Sequence, residues 1–293
     1  MELPGYLSHV HDSTKWGDGI GDYVKTLQME ANSFEEKMGK MFPSIHGNDM
    51  ISTIGFHMKA SPKEEHITEY GIDVENLHNL FDIPAVKELN ETYFGKTSEN
   101  TLMTTVSDKY FNVMRIVNLF TKKHRETLNV NRRYNNITLK VSPNRALHFT
   151  GCCNLDDVLC LAEYGRKLTA LVTEVDTEWV IDIMELSNVN TCSMMIGTSS
   201  DIDRVALSER LSNTDAFGMS VDQKKDDTKR QHHALKCKIP IKKYSGKTRT
   251  EFKKYSKSQP SIFIYKTGRL TILNSSFVGM DTVLNFIDEH ITH

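Results

Sequence analysis

The feature that most constrains the fold is an internal repeat: a predicted β-hairpin followed at once by an amphipathic helix, present twice. The first hairpin pairs predicted strands 137–142 and 146–151, and the second lies within PSIFIYKTGRLTILNSSF at 260–277. Alternation of apolar and polar residues around a short turn is typical of such hairpins. The helices that follow begin alike, with LDDVL at 155–159 and MDTVL at 280–284. The chain is therefore predicted to contain two copies of one unit.

Upstream segments extend the repeat. A predicted strand opens at Asn48 and ends near Met58, and another opens at Asn188 and ends near Ile196. The sequences Ser61-Pro62-Lys63-Glu64 and Ser200-Asp201-Ile202-Asp203 follow them, and both have the spacing of a helix capping box. Further strands are predicted at 102–108 and 109–120 in the first half, and at 218–223 and 232–241 in the second. Each half thus reads strand, helix, four strands, helix.

Two such halves predict an α+β fold in which helices cover one face of an antiparallel sheet and leave the other face open. We predict an N-terminal extension over 1–45, partly helical, a first repeat over 46–172, and a second repeat over 173–293. The first repeat carries an insertion near 71–100 that has no counterpart in the second.

Composition places the chain among ordinary globular proteins, with 39% hydrophobic and 25% charged residues. No apolar run is long enough for a membrane span, and the first residues lack the pattern of a signal peptide. The five cysteines are odd in number and lack CxxC spacing, which favours reduced thiols and an intracellular location.

The net charge of −2 hides a strong segregation of charge along the chain. Residues 109–145 hold nine Lys and Arg against one Glu, and residues 224–257 hold thirteen against three acidic residues. Acidic segments separate these blocks. Two basic blocks, each leading into a hairpin, favour a polyanionic partner.

Catalytic motifs are scarce. The GKT at 95–97 and the GKT at 246–248 both lack the glycine that opens a phosphate-binding loop. The pairs His9/His11 and His232/His233 lack partners at metal-ligand spacing. We therefore expect no enzymatic activity, no metal and no cofactor.

In its order of elements, the sequence resembles the TATA-binding protein (TBP) family, in a divergent form such as large DNA viruses carry. The best-matching segments are SIFIYKTGRLTILNSS and NVNTCSMMIGTSSDIDRVA, with KYFNVMRI in the first half. The resemblance implies a pseudo-twofold saddle, one curved antiparallel sheet with helices on its convex face. It also implies a transcription initiation factor that binds and bends A·T-rich promoter DNA through the minor groove. The implied partners are a transcription factor IIB-like factor and RNA polymerase, in the nucleus or in a cytoplasmic virus factory.

The resemblance also implies a set of DNA-binding residues. Polar groups suited to the minor groove are predicted at Asn48, Asn188, Asn190, Thr150 and Thr271. Arg145 and Arg269, beside the hairpin turns, match a family lysine that approaches phosphate. Of the family's four wedge phenylalanines, Phe111 retains one, Tyr265 replaces a second, Val141 falls at a third, and the fourth has no aromatic match. An alternative interpretation is a TBP-like scaffold that docks proteins and binds DNA weakly or not at all.

Overall fold

The computed structural model describes residues 18–43, 51–64, 83–94, 104–105, 115–119, 137–142, 144–152, 154–173, 177–191, 194–196, 202–212, 221–222, 234–239, 248–251, 259–274, 277 and 279–291. Its helices are α1 (Asp18–Met41), α2 (Pro84–Phe94), α3 (Leu155–Thr173), α4 (Arg204–Ser212) and α5 (Met280–His290). Its strands are β1 (Ile51–Pro62), β2 (Thr104–Thr105), β3 (Arg115–Leu119), β4 (Ile137–Val141), β5 (Ala146–Cys152), β6 (Trp179–Thr191), β7 (Met194–Met195), β8 (Val221–Asp222), β9 (Ala234–Lys238), β10 (Ser261–Tyr265) and β11 (Arg269–Asn274). No helix in these ranges is both long and apolar enough to cross a membrane.

The chain divides into two compact units. The first comprises 1–28 and 53–187, and the second comprises 29–52 and 188–293. Strands in the first unit follow the order β2-β3-β4-β5-β1-β6, and those in the second follow β6-β11-β10-β9-β8, with β7 beside β11. The pairings whose register is described, such as β1 with β5 and β10 with β11, are antiparallel. The predicted α+β fold class built on an antiparallel sheet is confirmed.

The same succession of elements occurs in both units. Reading outward from the first strand, β1 is followed by β5, β4, β3 and β2, and β6 is followed by β11, β10, β9 and β8. A helix follows the four later strands in each unit, α3 in the first and α5 in the second, and α4 precedes the four later strands of the second unit. The predicted order of strands and the helix after the last strand are therefore present in both units, while the helix predicted to follow Ser61 lies outside the described residues. The exact domain boundaries drawn from the sequence stay a prediction.

The core of the first unit lies between α3 and its strands. A Cβ atom added at Gly165 would lie 2.6 Å from Met58 Sδ on β1 and 2.9 Å from Leu147 Cδ1 on β5. Phe56 and Phe149 are fully buried and stack at 4.9 Å between ring centroids. The helix itself begins where the Asn154 side chain accepts a 2.8 Å hydrogen bond from the Asp157 N–H, as an N-cap residue does.

The core of the second unit includes the buried side chains of α5 and of the second half of α1. Helix α5 buries Val283, Leu284, Phe286 and Ile287 on one face, which is the spacing of an amphipathic helix. Phe34 of α1 packs against Phe277 at 5.9 Å between centroids. The helix predicted within the N-terminal extension is present as α1.

The inserted segment contributes α2, which packs on α3. Tyr164 is fully buried, and its hydroxyl donates a 2.9 Å hydrogen bond to Asn90 Oδ1. Burial raises the pKa of the Tyr164 hydroxyl, so it stays protonated as a donor. The sequence predicts a loop or short helices here, and a helix is present at Pro84–Phe94.

Both predicted capping boxes are wrong in detail. Ser61 and Pro62 still belong to β1, and Ser61 Oγ donates a 3.1 Å hydrogen bond to Asp182 Oδ2 of β6. In the second unit Asp203 caps α4, since its Oδ1 accepts hydrogen bonds from two N–H groups of the first turn, and Ser200 lies outside the described residues. Strand β6 also begins earlier than predicted, at Trp179 instead of Asn188.

Candidate nucleic-acid interface

The strands of the second unit present a face on the side opposite their buried residues. Ile262, Ile264, Leu270 and Ile272 are 0% exposed, and they alternate with half-buried or exposed side chains along β10 and β11. Successive side chains of a strand point to opposite faces, and directly opposite residues of paired strands share a face. We call this surface the second-unit strand face; it comprises Asn188, Asn190, Ala234, Lys236, Lys238, Phe263, Tyr265, Arg269, Thr271 and Leu273.

Two aromatic rings stand on the second-unit strand face. Tyr265, the predicted wedge, is half-buried, and Phe263 lies two residues before it on the same side of β10. Phe263 is opposite Thr271 on one neighbouring strand and Lys236 on the other. The Lys236 ammonium lies 5.3 Å from the centroid of the Phe263 ring, within range of a cation–π interaction. Sequence reasoning missed Phe263, although its spacing of two from Tyr265 placed it on the same face.

The second-unit strand face is basic. Lys236, Lys238 and Arg269 lie on it, and Arg269 is exposed. Its named residues include three cations and no acid, and Asp222 of β8 pairs opposite Lys236 at the edge of the sheet. The two lysines belong to the basic block over 224–257, so part of that block is on the strand face.

Three of the predicted polar residues share this face. Asn190 is opposite Leu273, and Asn188 lies two residues earlier on β6, separated by the fully buried Val189. Thr271 lies between the exposed Arg269 and Leu273 along β11. The structure thus brings amides and a hydroxyl together with aromatic and basic side chains.

The first unit has a corresponding surface with different chemistry. We call it the first-unit strand face; it comprises His57, Lys59, Thr138, Lys140, Ala146, His148, Thr150, Glu185 and Ser187. The predicted Thr150 is on this face, opposite Thr138. His57 and His148 are directly opposite each other on β1 and β5.

The prediction that Val141 is a wedge is wrong. Val141 is 0% exposed and lies opposite the equally buried Leu147, so it points into the core. The pair Ile264 and Leu270 holds the same place in the second hairpin. Because Ile264 takes the place of Val141, the next residue, Tyr265, corresponds to Ser142, which has no aromatic ring. A slip of one residue in register moves a side chain to the other face of a sheet.

The two arginines beside the turns differ in setting. Arg269 opens β11 and is exposed on the second-unit strand face. Arg145 lies in the turn with φ 67°, at the place that Gly268 with φ 77° takes in the other hairpin. Its Nε and Nη1 atoms are buried, so the guanidinium is less accessible than that of Arg269. Asn48 and Phe111 lie outside the described residues.

A groove of about 470 Å³ lies away from the strand faces, between α2, α3 and the start of β6. Arg166 lines this groove. Its guanidinium forms an ion pair with the buried Glu163 carboxylate at 2.7 Å and donates a 2.8 Å hydrogen bond to the Trp179 carbonyl. The hydrogen bonds that Arg166 donates to the Glu163 carboxylate raise the pKa of Arg166. Within the described ranges, no three His, Cys, Asp or Glu residues are arranged to hold a metal ion.

Comparison with known proteins gives a likeness to solved structures but none to known sequences. No family model and no curated protein matches the sequence. Among solved structures, the chain is similar to the TBP of Methanococcus jannaschii, with 11% sequence identity and a TM-score of 0.41. The match covers 82% of this chain and 98% of that one. At this identity and TM-score, the likeness adds nothing to the argument from the strand faces.

Proposed function

We propose that this chain is a TBP-like transcription initiation factor that binds and bends promoter DNA through its strand faces. The observation that carries the proposal is the second-unit strand face, where Lys236, Lys238 and Arg269 surround Phe263 and Tyr265. Lysine and arginine gain affinity for DNA by releasing counterions from phosphates. Apolar side chains of minor-groove proteins insert between base steps and kink the duplex, as those of the TBP family do.

The polar residues of the face fit the same ligand. The minor groove of A·T pairs offers only hydrogen-bond acceptors, which amide and hydroxyl donors can meet. Asn188, Asn190 and Thr271 supply such donors on the second-unit strand face. We therefore propose double-stranded, A·T-rich promoter DNA as the ligand. A transcription factor IIB-like protein and RNA polymerase are the proposed protein partners, inside the cell, and no catalytic activity is expected.

The experiment compares two pairs of lysine variants. Lys236→Ala and Lys238→Ala remove charge from the strand face, while Lys25→Ala and Lys40→Ala remove exposed charge from α1. Binding to an A·T-rich duplex is measured by fluorescence anisotropy over a range of salt concentrations. Each lost phosphate contact reduces the log–log salt slope by about 0.9. We expect this reduction for the strand-face pair and unchanged slopes for the α1 pair.

Equal effects of the two pairs would show that binding does not use the strand face. A wild-type protein without salt-dependent DNA binding would favour the alternative function, a TBP-like scaffold for protein interactions. In that case the exposed Leu273 and Met195, 38% and 52% accessible, would belong to a protein-binding surface instead.

A further inference from the structure

The first-unit strand face carries a pair of stacked histidines. The rings of His57 and His148 lie 3.9 Å apart between centroids and are inclined by 18°. His148 is held from a third strand as well, because its Nε2 lies 3.0 Å from Ser187 Oγ on β6. His57 is exposed, so the pair is accessible from the strand face. These positions correspond to no residue predicted from the sequence.

The charged groups around the pair are mostly cationic. Lys140 on β4 is directly opposite His148, and Lys59 follows His57 by two residues on β1. From β6, Glu185 interacts with His57. Asp182, further along β6, is exposed and accepts a hydrogen bond from Ser61. The described charged groups that face the pair are thus two lysines and one carboxylate, that of Glu185.

Both imidazoles are neutral near pH 7 in this environment. Burial, together with His57 and Lys140, lowers the pKa of His148 to about 4. Partial burial of the ring against its neighbours also lowers the pKa of His57, with Lys140 acting in the same direction and Glu185 opposing both. Full protonation would place three positive charges side by side, which a nearby anion would stabilise.

We propose that His57 and His148 contact DNA in the first unit and that the pair takes up protons when the duplex binds. This inference rests on the proposed DNA-binding function and adds a contact in the unit that lacks a ring at Ser142. Phosphates brought close to the pair favour the charged imidazolium form, as an opposite charge within a few ångströms does. The neutral, stacked state is the form of the free protein, and the charged state is the form bound to the polyanion.

The test measures proton uptake directly. Isothermal titration calorimetry of the full chain with an A·T-rich duplex is run in buffers of different ionisation enthalpy, between about pH 5.5 and 8. We expect the affinity of the wild-type protein to rise as pH falls, by at most about tenfold per pH unit for each proton taken up. His57→Gln and His148→Gln should each reduce proton uptake. His290→Gln, on α5, is the matched control and should leave it unchanged.

The outcomes separate this inference from the proposed function. If DNA binds with a steep salt dependence but both variants take up as many protons as the wild type, the histidine contact is wrong and the function stands. If no DNA binds at any pH, both fall. His57 is exposed, so His57→Gln is expected to fold even if His148→Gln does not, and thermal melting of both variants checks this.

Discussion

Truncation of one residue on β10 should reduce the stability of the protein, whereas truncation of its two neighbours should reduce DNA binding. Ile264 is 0% exposed in the core, whereas Phe263 and Tyr265 flank it on the second-unit strand face. Ile264→Ala should cost about 2–5 kcal/mol of unfolding free energy, because it leaves a cavity among buried side chains. That corresponds to a fall in melting temperature of roughly 4–20 °C.

Phe263→Ala and Tyr265→Ala should lower the unfolding free energy much less than Ile264→Ala does. Phe263→Ala removes the Lys236 contact, which at 5.3 Å is worth about 0.5–1 kcal/mol. If the rings enter base steps, each variant should lose about 10- to 100-fold in affinity for an A·T-rich duplex, or about 1.4–2.8 kcal/mol. Melting is followed by circular dichroism and binding by anisotropy on the same samples. A collapse in stability equal to that of Ile264→Ala, or unchanged DNA affinity with both rings removed, would refute the assignment of these rings as wedges.

Four further changes test other parts of the structure. Glu163→Ala should lower the unfolding free energy, measured in urea, by about 3–5 kcal/mol, because it leaves the partly buried Arg166 without its carboxylate partner. Glu178→Ala, which removes an exposed pair with Lys63, should lower it by at most about 1 kcal/mol. Gly268→Ala should destabilise by at least about 1–2 kcal/mol, because its φ is 77° and a Cβ would lie 2.8 Å from the Ile196 carbonyl oxygen; equal melting temperatures would contradict this. Val141→Ala should lower the unfolding free energy by about 1.5–3 kcal/mol and leave the DNA bend unchanged, since the side chain is in the core. The pKa of His148 is about 4 in the folded protein and 6.5 in its ordinary state, so the unfolded chain binds the proton at a higher pH. The unfolding free energy should therefore fall as pH drops from about 6.5 to 4. Urea unfolding of His148→Gln should show a weaker dependence of this free energy on pH in that window.

Local sequence patterns were sufficient for the elements that depend on local interactions. The second hairpin has the predicted strands and turn, because alternation and the glycine at 268 fix it within a few residues. The two helices that follow the hairpins begin where their apolar spacing indicates, at Leu155 and Met280. The repeat therefore predicted the fold class before any tertiary contact was known.

Errors arose where a distant strand decides the outcome. Ser61 has capping-box spacing, but pairing of β1 with β6 extends the strand and gives its hydroxyl to Asp182. The predicted alignment of the first hairpin was off by one residue at Val141, and in a sheet a shift of one residue places a side chain on the other face. The contact of His57 with His148 depends on the register of β1 against β5, which no local pattern contains.

The bend angle of bound DNA tests the central claim most directly. A duplex with an A·T-rich centre carries a donor and an acceptor dye at its two ends, and energy transfer is measured with the wild-type chain and with the Phe263→Ala, Tyr265→Ala double variant. The account predicts that wild-type binding brings the ends closer and that the double variant, which keeps Lys236 and Lys238, binds more weakly with little bending. End-to-end distances that are unchanged on wild-type binding, or equally shortened by the double variant, would contradict it.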